Sequence, residues 1–249
     1  MKAIVLSHDN NHVFADHMIQ TYLRHWPSNP FQFRIPYQEK SHHFKEKFGD
    51  LVELIQTEAS IKKTVLGLVS DLPDEEWVYW AVDDKYLIWI DENFVNSCHS
   101  WVTSGEESPL SGLLFCRCRN LLDENNLGSE LRDVLTLGES LYKRKNYYQF
   151  WVHQYLRVGI IRSIFQDFPD YLFRAREMDD FLGTRAGTPK LIPAKHKTYV
   201  TKNNYAVFGE STSGGWVTKN CAESLSSYGL DFPSGRGLMK RSIILGGNN

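Results

Sequence analysis

The feature that most constrains this chain is the stretch Glu76–Asp91, EWVYWAVDDKYLIWID. An apolar run from Trp77 to Val82 ends at the acidic pair Asp83-Asp84, and a second apolar run, Tyr86 to Ile90, follows at once. Aromatic and β-branched residues without polar alternation, bounded upstream by Pro73, predict a strand buried on both faces, the kind found inside a parallel sheet. The acidic pair then falls at the carboxyl end of that strand, where open α/β sheets bind their ligands. Two adjacent ionised carboxylates repel each other, so the doublet needs water, a basic neighbour such as Lys85 or a divalent cation beside it. An Asp-Asp pair also serves as a helix cap, since carboxylates suit helix N-termini, and the dipeptide alone does not separate these uses.

The flanking segments supply the rest of a parallel sheet. Ala3 to Leu6 reads as a short buried first strand, and Ser7-His8-Asp9-Asn10-Asn11 as the loop at its carboxyl end, facing the same edge as Asp83. From His12 the residues Val13, Phe14, Met18, Tyr22, Leu23 and Trp26 recur at helical spacing until Pro27. Phe31, Phe33 and Ile35 alternate with Gln32 and Arg34, a second strand closed by Pro36. Gln38 to Lys47 is polar and reads as a loop or a poorly packed helix, with His42 and His43 solvated in it. Leu51 to Ile55 is a third strand, and Ile61, Val65, Leu66 and Val69 mark a helix. Strand, helix, strand, helix, strand with short connections is the pattern of a parallel α/β sheet.

After Asp91, the residues Phe94, Val95, Cys98, Trp101 and Val102 predict a further helix, and Leu113 to Cys118 a further strand. Tyr147 to Val152 reads as a strand, followed by a helix carrying Leu156, Ile160, Ile161, Ile164 and Phe165 that ends before Pro169. Tyr171 to Leu182 is a short helix, and Gly183, Gly187, Pro189 and Pro193 then mark a loop. Tyr199 to Phe208 has strand composition, Gly209 to Gly215 reads as a flexible loop, and Trp216 to Tyr228 as a helix. The tail from Asp231 is expected to lie over the surface.

Composition removes several function classes. A net charge of −2 over 249 residues lacks the basic excess that marks a nucleic-acid binder. The 13% aromatic content includes seven Trp, a composition suited to stacking sugar rings, although most such residues belong to the core. Cys98, Cys116, Cys118 and Cys221 are scattered, and the Cys116/Cys118 spacing fits neither a zinc ribbon nor a redox pair, so free thiols in a reducing cytosol are expected. Met1 to Leu6 is too short an apolar run for a signal peptide, and no transmembrane segment is expected. The reading is therefore cytoplasmic, extended at most to peripheral association with the inner face of a membrane.

Three stretches together give the chain a family likeness. They are IVLSHDNN leading to YLRHWPSNPFQFRI, the segment EWVYWAVDDKYLI, and FWVHQYLRVGIIRSIF followed later by YAVFGESTSGGWVTKNCAESL. In pattern and order the chain resembles glycosyltransferases of the GT-A, nucleotide-diphospho-sugar transferase type, and more narrowly a little-described bacterial group of them. The resemblance implies an α/β fold with a mostly parallel central sheet flanked by helices. It implies one domain over residues 1–249, with a nucleotide-sugar-binding half at 1–118 and an acceptor-binding half at 119–249. It implies transfer of a sugar from a nucleotide-diphosphate donor to a glycan or other hydroxyl acceptor, as in polysaccharide biosynthesis, with Mn²⁺ or Mg²⁺ as cofactor. The alternative is a non-catalytic module of the same fold that binds a nucleotide sugar or a partner.

Site residues follow from the same likeness. Ser7 and Asp9 line the nucleotide pocket, although Asp9 reads equally well as a cap for the helix from Val13. Asp84 is the expected metal ligand, and Asp83 shares the ion or holds the ribose. The family's Asp-any-Asp triplet is incomplete, because Val82 occupies one acidic place. His196 and His153 are candidate further ligands against the bland reading of core histidines. An inverting transferase needs a carboxylate or a His to take the acceptor hydroxyl's proton, and Glu210 is preferred over Asp179 and Asp180, which read as solvated helix acids. Arg157 and Arg162 share a helix and could face phosphate, against a default of solvent exposure.

Overall fold

The protein is described by a computed structural model that covers residues 1–39, 44–104, 110–116, 127–134, 137–183 and 188–246. His42, His43, Cys118 and Gly187 lie outside the described residues. In chain order the first half comprises Lys2–Leu6 (β1), a 3-10 turn at Asp9–Asn11, His12–His25 (α1), Gln32–Tyr37 (β2), Phe44–Phe48 (α2), Val52–Gln56 (β3), Ile61–Leu68 (α3), Trp77–Val82 (β4), Lys85–Ile90 (β5), Glu92–Thr103 (α4) and Leu110–Leu114 (β6). The second half follows as Leu127–Val134 (β7), Glu139–Arg144 (β8), Gln154–Arg157 (β9), Val158–Asp167 (α5), Ala175–Leu182 (α6), Lys197–Thr201 (β10), Ala206–Glu210 (β11), Thr212–Ser213 (β12), Trp216–Val217 (β13), Lys219–Ser227 (α7) and Ile244–Leu245 (β14).

Among the described residues the central sheet has nine strands in the order β3-β2-β1-β4-β9-β6-β10-β8-β7. Neighbours from β3 to β4 are parallel. Strand β9 runs antiparallel between β4 and β6, β10 is parallel to β6, and β8 is antiparallel to both β10 and β7. Strands β8 and β9 thus oppose the other seven, so the sheet is mixed but mostly parallel, with helices on its faces. A second sheet, β14-β11-β5, receives the chain after Asp84.

The unbroken apolar run of β4 has a direct cause. Tyr79 and Ala81 join the core beneath α1, while Val78, Trp80 and Val82 join the core beneath α3 and α5. With both faces covered, Val78 to Val82 are buried and only Trp77 at the strand's start meets water, and each large side chain so buried contributes about 1.5–3 kcal/mol. Trp80 keeps its one polar atom satisfied by donating from Nε1 to the Phe150 carbonyl at 2.9 Å.

The structure moves several boundaries in the second half. Tyr147 to Val152 is not a strand. Its aromatic residues fill the core from a turn in which Gln149 adopts φ +63°, and the strand begins at Gln154. Tyr199 to Phe208 is two strands in different sheets, parted at Lys202-Asn203-Asn204, where Thr201 Oγ1 donates to the Asn203 carbonyl at 2.6 Å. The expected strand Leu113 to Cys118 is centred earlier, at Leu110–Leu114, and the helix expected over Tyr171 to Leu182 begins at Ala175. The stretch from Gly209 closes β11 and then forms the β12–β13 hairpin, with Gly214 and Gly215 at positive φ. The helix expected from Trp216 starts at Lys219, after Thr218 accepts from the Cys221 N–H. Strands β7 and β8 pair where the sequence predicts no strand, and the tail returns as β14 beside β11. Cys98 and Cys221 are buried free thiols, and Cys116 is buried. Among the described residues no helix is long and apolar enough to cross a membrane.

Candidate functional site at the carboxyl rim

Parallel pairing brings the chemistry together. Leu6 of β1 and Val82 of β4 are register partners, so the next residues, Ser7 and Asp83, emerge side by side. Ser7 Oγ donates to Asp83 Oδ2 at 2.6 Å, and the Asp83 N–H donates to the Leu6 carbonyl at 3.1 Å. Burial, reinforced by the neighbouring Asp84 charge, pushes the Asp83 carboxyl up to about 7, and hydrogen bonds from Ser7 and Asn11 pull it partly back. Asn11 is itself held: its Oδ1 accepts from Arg236 Nη2 at 2.6 Å, and the Arg236 guanidinium lies over the Phe14 ring. The tail therefore reaches the opening loop of the chain.

Asp84 leaves the sheet and enters the β4–β5 turn. Its carbonyl accepts from the Ser211 N–H at 2.6 Å, and its Oδ1 accepts from Lys85 Nζ at 2.8 Å. Lys85 opens β5 opposite Glu210 of β11, which places its ammonium 3.7 Å from Glu210 Oε1. Lys85 is buried, and an ammonium so placed is tolerable because carboxylates stand on both sides of it.

A cavity of about 650 Å³ follows this rim, lined in part by Ser7, Asp9, Ser60, Asp83, Asp84 and Lys85. That volume lies within the range of small-molecule sites, roughly 300–1,000 Å³. Asp9 does not cap α1. Its two carboxylate oxygens accept from the Gln38 and Glu39 N–H groups at 2.9 Å each, fastening the β1 loop to the exit of β2. The second half of the chain closes the cavity with Trp151, Phe173 and Thr212. Trp151 is fixed by its indole N–H on Asp179 Oδ1 at 2.6 Å. Phe173 is 68% exposed, and its backbone N–H and that of Arg174 both donate to Glu177 Oε2.

No family model and no curated protein sequence matches the chain. Solved structures do match it. Staphylococcus aureus TarS 1-349 in complex with UDP-GlcNAc is similar over 90% of this chain and 64% of its own, with 12% identity and a TM-score of 0.50. A UDP-glucose pyrophosphorylase complexed with UDP-glucose is similar over 91% and 97%, with 10% identity and a TM-score of 0.50. The chain has the GT-A, nucleotide-diphospho-sugar transferase fold. It spans 59% of another TarS 1-349 chain that it matches, at a TM-score of 0.48. Identities this low carry the fold and nothing finer.

Within the GT-A fold, Ser7, Asp9, Asp83 and Asp84 share one cavity, with Glu210 next to it through Lys85. His196 is elsewhere. It immediately precedes β10, which runs in the same sense as β4, so it sits at the opposite, amino-end rim. His153 is a core residue with Nδ1 2.7 Å from the Tyr22 hydroxyl and Nε2 3.0 Å from the Val82 carbonyl, and burial holds its pKa down to about 3. Arg157 and Arg162 are also tied down at the amino end. Arg157 donates to the Leu110 carbonyl at 2.8 Å, and Arg162 to the Val69 and Leu72 carbonyls at 2.8 and 2.7 Å. Asp180 is exposed on α6, in keeping with the solvated reading.

A resident Mn²⁺ or Mg²⁺ would have to draw its ligands from these same residues. Such an ion needs several oxygen ligands converging on one point. Asp83 is engaged by Ser7 and Asn11, Asp84 is paired with Lys85, and His196 is at the wrong rim. Among the described residues no group of three or more His, Cys, Asp or Glu side chains is arranged to hold a metal. As arranged, these residues do not fit a resident divalent cation.

No sequence pattern marks Gln38, Trp151 or Arg236 as site residues, and Asn11 is marked only as part of the opening loop. Trp151 carries a signal only as one of many aromatics. Gly209 positions Glu210 by allowing close approach: a Cβ there would lie 2.2 Å from the Tyr86 ring. Gly209→Ala is expected to destabilise the protein by about 1–3 kcal/mol, as overpacking does, read as a lower urea midpoint.

Proposed function

We propose that this chain is a glycosyltransferase that binds a nucleotide-diphosphate sugar in the rim cavity and passes the sugar to a hydroxyl of a glycan acceptor. The observation that carries this reading is the cavity itself: a parallel-sheet rim where Asp83, Ser7 and Asp9 converge on a volume suited to a nucleotide sugar. Two proteins of this fold are known with UDP-GlcNAc and UDP-glucose bound, which supports a UDP-sugar as the first donor to test. The opening loop, the exit of β2 and the first turn of α3 supply polar groups for ribose and base. Trp151 and Phe173 add apolar faces on which a ring can rest. The cavity thus draws on both halves of the chain, the first for the donor and the second for its closure. Glu210 is our candidate to take the acceptor hydroxyl's proton, and cytoplasmic action on a polysaccharide is the setting we infer.

Turnover of UDP-GlcNAc or UDP-glucose, followed as release of UDP, is the test. Asp84→Asn is expected to lower it by about 10²-fold, the usual loss for one electrostatic element of a transfer site. A specific observation favours the second reading, a binding module without turnover: Asp84 is already neutralised by Lys85. UDP binding that is unchanged in Asp84→Asn, with no turnover of either donor, would establish that reading instead.

A further inference from the structure

We infer that Lys85, rather than a divalent cation, is the positive charge that receives the departing diphosphate; this rests on the glycosyltransferase reading above. The geometry has three parts. Lys85 lines the cavity and is only 6% exposed, so its charge is largely withdrawn from bulk water. It is held from two directions, by Asp84 Oδ1 at 2.8 Å and by Glu210 Oε1 at 3.7 Å on the paired strand. The register of β5 with β11 fixes that second carboxylate, and the 2.6 Å bond from the Ser211 N–H to the Asp84 carbonyl fixes the turn between them.

These contacts place a cation where the acidic doublet would otherwise need one. An ion bound at Asp84 would displace the ammonium from its nearest carboxylate or share that oxygen with it, and either arrangement brings like charges together. A lysine ammonium is a compact point charge with three donors, well suited to phosphate oxygens. In transfer, the bond between the sugar's anomeric carbon and the diphosphate oxygen breaks, and its electron pair leaves on that oxygen. The acceptor hydroxyl oxygen forms the new bond to the anomeric carbon, and its proton passes to a carboxylate, for which Glu210 is the candidate. Lys85 keeps its proton throughout and turns a hydrogen bond from Asp84 toward the oxygen on which charge accumulates. Such a contact strengthens in the transition state, so its loss falls on kcat more than on KM.

The test uses the full chain with UDP-GlcNAc and UDP-glucose, in buffer containing EDTA and in buffer containing Mn²⁺. Wild-type turnover is expected to be the same within about twofold in the two buffers, and Lys85→Met is expected to lower kcat by about 10²–10³-fold with a smaller change in KM. Lys85→Arg, which keeps the charge, should recover part of the loss, while added Mn²⁺ should not. Turnover abolished by EDTA and restored by Mn²⁺ overturns the inference, and that arm holds even if Lys85→Met fails to fold. Undiminished kcat in folded Lys85→Met overturns it equally. A wild type that neither binds UDP nor turns over either donor, in both buffers, overturns the glycosyltransferase reading itself and this inference with it.

Discussion

Asp83→Asn is expected to make the protein more stable at pH 8 and to leave it nearly inactive. Asp83 is 5% exposed, and burial together with the adjacent Asp84 charge raises its carboxyl from 3.8 to about 7. A group whose folded pKa is raised stabilises the fold fully below its unfolded value and loses that contribution as pH rises through the folded value. Above pH 7 the carboxylate is charged in both states, and its desolvation is an unrecovered penalty of about 2–4 kcal/mol. The amide removes the charge while keeping the shape. The gain should therefore be full at pH 8, shrink between pH 7 and pH 4, and vanish below. Urea unfolding of the two proteins at pH 8 and pH 4.5 measures it. Turnover at pH 8 should fall by about 10²-fold or more, because on the proposed function Asp83 is the carboxylate that holds the donor's ribose hydroxyls. Equal stability at pH 8 would mean that the Asp83 carboxylate is solvated after all. A site that lowers stability for its own charge is what a functional position is expected to look like.

Replacing Arg34 with methionine is expected to lower stability by about 3 kcal/mol, the low end for removing one partner of a buried ion pair because both carboxylates keep some water. Arg34 is 2% exposed on β2 and spends every nitrogen. It donates to Glu53 at 3.0 and 3.1 Å, to both oxygens of Asp71 at 2.8 Å, and to the Leu68 carbonyl at 2.7 Å. The guanidinium holds both carboxyls below the usual carboxylate range. Groups with depressed folded pKa values stabilise the fold above their unfolded values and lose that contribution as pH falls. The gap between wild type and Arg34→Met should thus be widest above pH 5 and narrow below pH 4. Thermal unfolding across that range checks it, and a gap that does not change with pH would assign the loss to packing alone.

Arg34 also shows where the linear sequence stops being informative. Its alternation with Phe33 and Ile35 reads as a polar position on a half-solvated strand. That strand instead lies between β1 and β3 with both faces covered, and a charge there survives only because Glu53 and Asp71, distant along the chain, arrive to meet it. His153 teaches the same lesson, as a polar residue whose partners are the Tyr22 hydroxyl and the Val82 carbonyl. Tyr147 to Val152 and Tyr199 to Phe208 have strand composition, yet aromatic and β-branched residues suit any buried surface, and composition does not record a left-handed Gln149 or a change of sheet at Asn203.

By itself the sequence determined the parallel core and its rim: the strands around Ala3–Leu6 and Trp77–Val82, the helices between them, and the placement of Asp83 and Asp84 at a carboxyl end. These rest on periodicity and on runs with no polar residue, which are local properties. Only the tertiary structure decided what the acids do there. It set Ser7 and Asn11 on Asp83, brought Glu210 across to Lys85 through a second sheet, and sent His196 to the far rim. Those outcomes depend on strand order and register, which arise from pairings between residues far apart in the chain that no local pattern encodes.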